Sequence, residues 1–176
     1  MTDDHAPERG AMTLEDRVRR LEDLEQIREV TARYAHATNR GFAGRTIDWD
    51  ALETVYTEDS EWHSVDMDLH VSGRKSILDV LRKVAPTVDI AMHSFTSPLI
   101  DLDGDTATGR WIMPIGSVHG GQLRSVFMDA AFTYQRTAAG WRISRTDVSF
   151  ALMLVTDAPT AGRVAEPTDT TPGGKA

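Results

Sequence analysis

Residues 32–41, "ARYAHATNRG", set a phenol, an imidazole and an amide close together: Tyr34, His36 and Asn39. A second imidazole, His93, stands further along in "MHSF". Histidine is the side chain best poised to take a proton near neutral pH. A tyrosine hydroxyl can donate to a carbonyl oxygen that turns negative as an enolate forms. An amide hydrogen-bonds but neither holds charge nor accepts a proton. These groups supply proton transfer beside a carbonyl. Helical spacing narrows the set, because His36 lies about 200° round a helix from Tyr34 and faces solvent. Tyr34 continues an apolar stripe, so it either packs or lines a pocket. Asn39, followed by Arg40 and Gly41, is either a helix terminus or a pocket group.

The elements that must position these residues follow from periodicity. Thr13 is a candidate N-cap with Glu15 and Asp16 in the first turn, where the helix dipole favours acids. Leu14, Val18, Leu21, Leu24, Ile27, Val30, Thr31 and Tyr34 recur at three- and four-residue spacing, which predicts one amphipathic helix to about residue 39. Before Ile27 the stripe is expected to serve the core or a partner helix. A glycine-punctuated loop, "GFAGRT", precedes a short helix, "DWDALETVY", and "SEWHSV" predicts a short strand. "GRKSILDVLRKVA" predicts a third helix, ended by Pro86. From Ala91 the pattern changes to antiparallel strands joined by turns at "DGD", "HGGQ" and "TAAG". Helices first and strands after is an α+β arrangement.

Within the strands, alternation puts Phe95 and Ser97 on the face of His93. Asp129 sits inside "VFMDAAF", where a charge is expensive unless paired. One face of that strand holds Val126, Met128, Ala130, Phe132 and Tyr134, and the other holds Phe127, Asp129, Ala131, Thr133 and Gln135. Trp62, Trp111, Met113, Met128 and Phe132 are core residues by default. If several line one cavity, it is broad, apolar and suited to a flat hydrophobic ligand. His63, Asp66, Asp68 and His70 in "HSVDMDLH" have the residue types of a metal cluster, but a solvated loop accounts for them and no metal is expected.

Composition bounds the function. The 176 residues are 40% hydrophobic, which suits one domain with a sizeable core, here expected over 13–155 between disordered ends at 1–12 and 156–176. The net charge of −8 leaves no basic face for nucleic acid. The absence of cysteine excludes disulfides, thiolate metal sites and cysteine nucleophiles. No apolar run is long enough for a membrane span and the N-terminus has no signal-peptide pattern, so a cytoplasmic location is expected.

The stretches "LEDLEQIREVTARYAHATNRG", "DWDALETVYTEDSEW", "GRKSILDVL", "MHSFTSPLIDLDGDTATGRW" and "YQRTAAGWRISR", in this order, resemble the SnoaL-like branch of the NTF2-like superfamily. The resemblance covers nearly all of residues 14–150. It implies an α+β cone: a curved, mostly antiparallel sheet with the N-terminal helices packed on its concave face around a pocket. Dehydratase-like members carry a tyrosine near the end of the first helix, an acid five residues on, and a histidine on the first long strand. By that match the tyrosine falls on Tyr34 and the histidine on His93, while the acid's position falls on Asn39, a departure. Many relatives carry an amide where Ser97 stands. The family's frequent pocket acid on the Asp129 strand falls on Phe132. The Phe132 face is then the pocket face and Asp129 points away, unless a one-residue bulge reverses the strand.

The resemblance implies a cofactor-independent lyase or isomerase, a dehydratase or cyclase, acting on a hydrophobic, carbonyl-bearing ring or polyketide-like molecule. Its catalytic candidates are His93, Tyr34 and Asn39. Its substrate-binding candidates are Trp62, Phe95, Ser97, Trp111, Met113, Met128, Phe132 and Asp129. A non-catalytic small-molecule-binding domain is the alternative. An epoxide hydrolase ranks lower, because Arg110 is followed by Trp111 and Ile112 where related hydrolases have Arg-x-Asp. No cofactor is expected, the partner is a hydrophobic small molecule, and a homodimer or higher homo-oligomer is implied.

Overall fold

The computed structural model describes residues 12–156. The expected disordered ends therefore lie outside the described residues, apart from Met12 and Thr156. Helix α1 spans Leu14–Thr38, and Thr13 starts it with a capping box to Asp16. Its buried face runs from Asp23 and Ile27 through Val30, Thr31 and Tyr34 to Thr38. Leu14, Val18 and Leu21 remain exposed, so only the second half of the stripe serves the core. Asp48 caps α2, Trp49–Val55, by accepting from the Ala51 N–H. Helix α3 spans Arg74–Val84.

The strands are β1 Tyr56–Ser64, β2 Leu69–Ser72, β3 Ile90–His93, β4 Thr96–Asp103, β5 Thr106–His119, β6 Gln122–Thr137 and β7 Gly140–Thr156. They form one sheet in the order β2-β1-β7-β6-β5-β3, with β4 also on β5. Every pairing is antiparallel except β1 with β7, which is parallel. The fold is the expected α+β cone, with helices on the sheet's concave face and the core between them.

Two expectations change. The strand foreseen through "MHSFTSPLIDL" is two strands, β3 and β4, both on β5. At the junction Ser94 N–H donates to the Pro114 carbonyl at 3.1 Å. Proline has no N–H to return. Beyond it the register shifts between Thr96 and Leu99, and Ser97 takes φ 53°. The "HSVDMDLH" loop is instead a hairpin: His63 pairs with His70 across β1 and β2, and Asp66 accepts from the Phe150 N–H at 2.7 Å. No three His, Asp or Glu side chains among the described residues are placed to hold a metal ion.

A buried charge clamps α1 to the far end of the sheet. Asp23 takes both terminal nitrogens of Arg136, at 2.6 and 2.7 Å, and the Trp141 indole N–H at 3.0 Å. Those bonds hold the Asp23 carboxyl below its usual pKa, Arg136 first among the causes. A bidentate pair of this kind is directional and fixes the rotation of α1 about its axis. Among the described residues, no helix is long and apolar enough to cross a membrane. Asp23→Ala is expected to cost about 2 kcal/mol, a value discounted because Arg136 keeps solvent access. Urea unfolding checks it, and an unchanged midpoint would show that the clamp contributes nothing.

Candidate active site

A cavity of about 280 Å³ lies between the helices and the concave face of the sheet. That is the lower end of ligand-pocket sizes, room for one or two rings. Tyr34 and His93 line it, together with Trp62, Met113, Met128 and Phe132 from the sheet. The last four reach it by strand alternation: Met128 and Phe132 lie on the buried face of β6, with Val126 and Ala130 between and beside them.

His93 is positioned by the exit of α1. After Thr38 the chain leaves the helix and Arg40 pairs with Ala91, N–H to carbonyl at 3.0 Å and 3.1 Å in the two directions. That bridge aligns Asn39 beside His93. The Asn39 Oδ1 accepts the His93 backbone N–H at 2.6 Å, and its Nδ2 faces the His93 carbonyl at 3.5 Å. The backbone thus fixes which way round the amide lies. Oδ1 also lies 3.2 Å from the imidazole Nδ1, and Thr38 Oγ1 lies 3.3 Å from it.

These contacts assign the tautomer. An amide oxygen can only accept. The Thr38 hydroxyl spends its proton on the α1 carbonyls of Tyr34 and Ala35, at 3.0 and 3.1 Å, which leaves its lone pair toward the ring. Both neighbours of Nδ1 are therefore acceptors, and Nδ1 carries the proton. Nε2 is then the unprotonated nitrogen, and it has no hydrogen-bond partner among the described residues. Burial pushes the His93 pKa down to about 4. The ring is a neutral base at physiological pH.

Tyr34 is buried, and burial raises its phenol above the ordinary value, with the Tyr56 hydroxyl acting the other way. The two rings meet edge-on at 6.0 Å. Tyr34 stays a neutral hydrogen-bond donor. Its ring also packs on Phe95 and Phe132, with centroids at 5.7 and 6.3 Å.

The remaining candidates fall elsewhere. Asn39 stands behind His93, on a shallower groove of about 670 Å³ that Phe95, Ser97 and Trp111 also line. Phe95 is part of the aromatic core, and Ser97, beyond the break between β3 and β4, lines that groove and not the cavity. Trp111 is occupied: its indole N–H donates to the Tyr134 hydroxyl at 3.0 Å, which in turn bonds Thr31 at 2.8 Å. Asp129 is a correction to the candidate set. β6 keeps its alternation through this stretch, so Asp129 lies on the opposite face, paired with Arg110 at 2.7 Å. That pair places Arg110 outside the cavity as well.

Sequence reasoning missed Thr38, Tyr56, Ser117 and His119. Thr38 follows Tyr34 by four residues, a spacing that puts both on one helix face. Ser117 and His119 alternate with Ile115 along β5, and all three line the cavity.

Residues 19–147 match the family model of the SnoaL-like domain, and the chain belongs to that family. It is also similar to solved structures. An NTF2-like protein with a cystatin-like fold from Novosphingobium aromaticivorans shares 28% identity, with a TM-score of 0.65 over 81% of this chain and 92% of that one. The hexachlorocyclohexane dehydrochlorinase LinA-type3 from Novosphingobium barchaimii shares the fold at 15% identity, with a TM-score of 0.70 over 86% of this chain and 99% of that one. The Kfla4162 protein from Kribbella flavida does so at 19%, with a TM-score of 0.68 over 77% and 95%.

Asn39→Asp would set a carboxylate against the imidazole and favour its charged form. The His93 pKa is expected to rise by roughly 1–3 pH units. An NMR titration of the ring checks this, and an unmoved pKa would separate Asn39 from the imidazole.

Proposed function

We propose that the protein is a cofactor-independent lyase or isomerase acting on a hydrophobic ring compound that bears a carbonyl group. One observation carries the reading: a neutral imidazole in an apolar cavity has its Nδ1 proton committed to Asn39 and Thr38, which leaves Nε2 as a base.

In a dehydration, Nε2 takes a proton from the carbon next to the substrate carbonyl. The electron pair moves onto the carbonyl oxygen, where the Tyr34 hydroxyl donates a hydrogen bond. The enolate then expels a hydroxyl from the next carbon, and the imidazolium returns its proton to it, so water leaves. Atoms and charge balance with no cofactor. Burial that weakens His93 as a base works less against it during this step. The imidazolium forms opposite an enolate, and the ion pair replaces the lost solvation. A cyclase would use the same enolate to attack a second carbonyl.

A binding domain without catalysis is the second reading. It is favoured by the lack of any Asp or Glu lining the cavity among the described residues. The homodimer is also a proposal, supported by exposed Ile112, Phe127 and Leu152 on the sheet.

His93→Ala is expected to abolish turnover of cyclic β-hydroxyketone substrates while the thermal unfolding midpoint stays near wild type. Unchanged turnover would rule this mechanism out. The base form exists above the folded-state pKa, so kcat/KM should be flat through neutral pH and fall only as pH drops through about 4. A limb near the ordinary histidine value instead would mean that the base is solvated.

A further inference from the structure

The chain carries a net charge of −8, with 27 Asp and Glu against 19 Lys and Arg. Its cavity is apolar, and the negative charge of the chain is kept out of it. Arg40, His93 and His119 line it, and no carboxylate does among the described residues. Polar groups gather at the end of β5 and the start of β6. Ser117 and His119 line the cavity there, with His119 Nε2 at 3.2 Å from Ser117 Oγ. Arg124 is the cross-strand partner of Ser117 and lies two residues before Val126, which lines the cavity too. Alternation therefore puts Arg124 on the same face, beside the cavity's lining residues rather than among them.

Arg124 differs from the other arginines of this sheet. Arg110 is paired with Asp129, Arg136 with Asp23, and Arg145 with Glu61 and Asp147, while Arg142 has no ion pair among the described residues but donates to the Tyr56 carbonyl at 3.3 Å. Arg124 has no ion pair or hydrogen bond with any described residue, and its Nε is buried without a partner. Asp89 acts electrostatically on His119, and its Oδ2 accepts the Gly120 N–H at 2.8 Å. A part-buried guanidinium with no carboxylate among the described residues is stabilised when an anion completes it.

We propose that the cavity takes a hydrophobic molecule bearing a carboxylate, and that Arg124, with Ser117 and His119, holds this carboxylate at one end while the ring body reaches toward His93. A guanidinium fork with one hydroxyl suits a planar, singly charged carboxylate. A phosphate would call for further cations. Length fits as well. His93 pairs with Ile115, and Ser117 stands two residues further along β5. Two residues of strand span about 7 Å, roughly one substituted six-membered ring. The proposal rests on the cavity being the substrate site, not on catalysis by His93.

The test uses calorimetric binding of 2-naphthoate and its neutral isostere 2-naphthamide to the full chain at low salt. Wild type is expected to bind the acid at least tenfold more tightly than the amide. Arg124→Met should erase that preference without weakening the amide, and Arg124→Lys should keep part of it. Equal affinities in wild type, no binding of either probe, or a preference that survives Arg124→Met would each overturn the proposal. His93→Gln should leave the preference intact. A failure of the proposed chemistry is thereby distinguishable from a failure of carboxylate recognition.

Discussion

The site depends on a short splice between the end of α1 and the edge of β3. Two backbone bonds join Arg40 to Ala91, and the Asn39 side chain spans the backbone of His93 as a further strand would. Gly41 makes the splice possible. It takes φ +80°, and a Cβ there would collide with the Asp89 carbonyl oxygen. Only glycine permits that approach at that conformation. Because α1 is also clamped by Asp23 to Arg136 and Trp141, the helix is held at both ends of its buried half. Tyr34 and Thr38, one turn apart on that half, inherit a fixed position relative to His93.

The same splice sets the electrostatics. An acid beside the imidazole would orient it and also raise its pKa, because the carboxylate favours the charged ring. Asn39 keeps the orientation and omits the charge. Its oxygen accepts from Nδ1 while its nitrogen faces the His93 carbonyl, a second contact that a carboxylate would lack. The ring is thus held in one tautomer yet left to the full effect of burial. A base of this kind is weak toward water and works best where negative charge develops beside it. Among the described residues, no carboxylate lines the cavity to compete.

Much of the architecture was legible in sequence because it rests on periodicity. The three helices, the turns and the buried face of β6 all follow from spacing, and the placement of Asp129 outside the cavity follows from the alternation β6 keeps, although its register with β7 shifts at Phe127 and Met128. The division of one strand into β3 and β4 was not legible. It depends on a proline in the partner strand, Pro114, and on a positive φ at Ser97, neither of which alters the apolar pattern around His93. The hairpin at His63 and His70 was hidden by its charged residues, which pair with other strands, His63 with Asp147 at 3.1 Å. Residue identity suggested Tyr34 and His93, but the partners that set their chemistry, Thr38 and Tyr56, became visible only once α1, β1 and β3 were brought together. The role of Asn39 was split in sequence between helix cap and pocket group. In the structure its backbone N–H closes the last turn of α1 on Ala35, and its side chain holds His93.

The central claim is that Asn39 and Thr38 hold His93 as a neutral ring protonated at Nδ1, with Nε2 open to a substrate proton. Long-range proton–nitrogen NMR correlation of the His93 ring at neutral pH tests it most directly. A protonated Nδ1 and an unprotonated Nε2 are the expected result. A ring protonated at Nε2, or at both nitrogens, would contradict it.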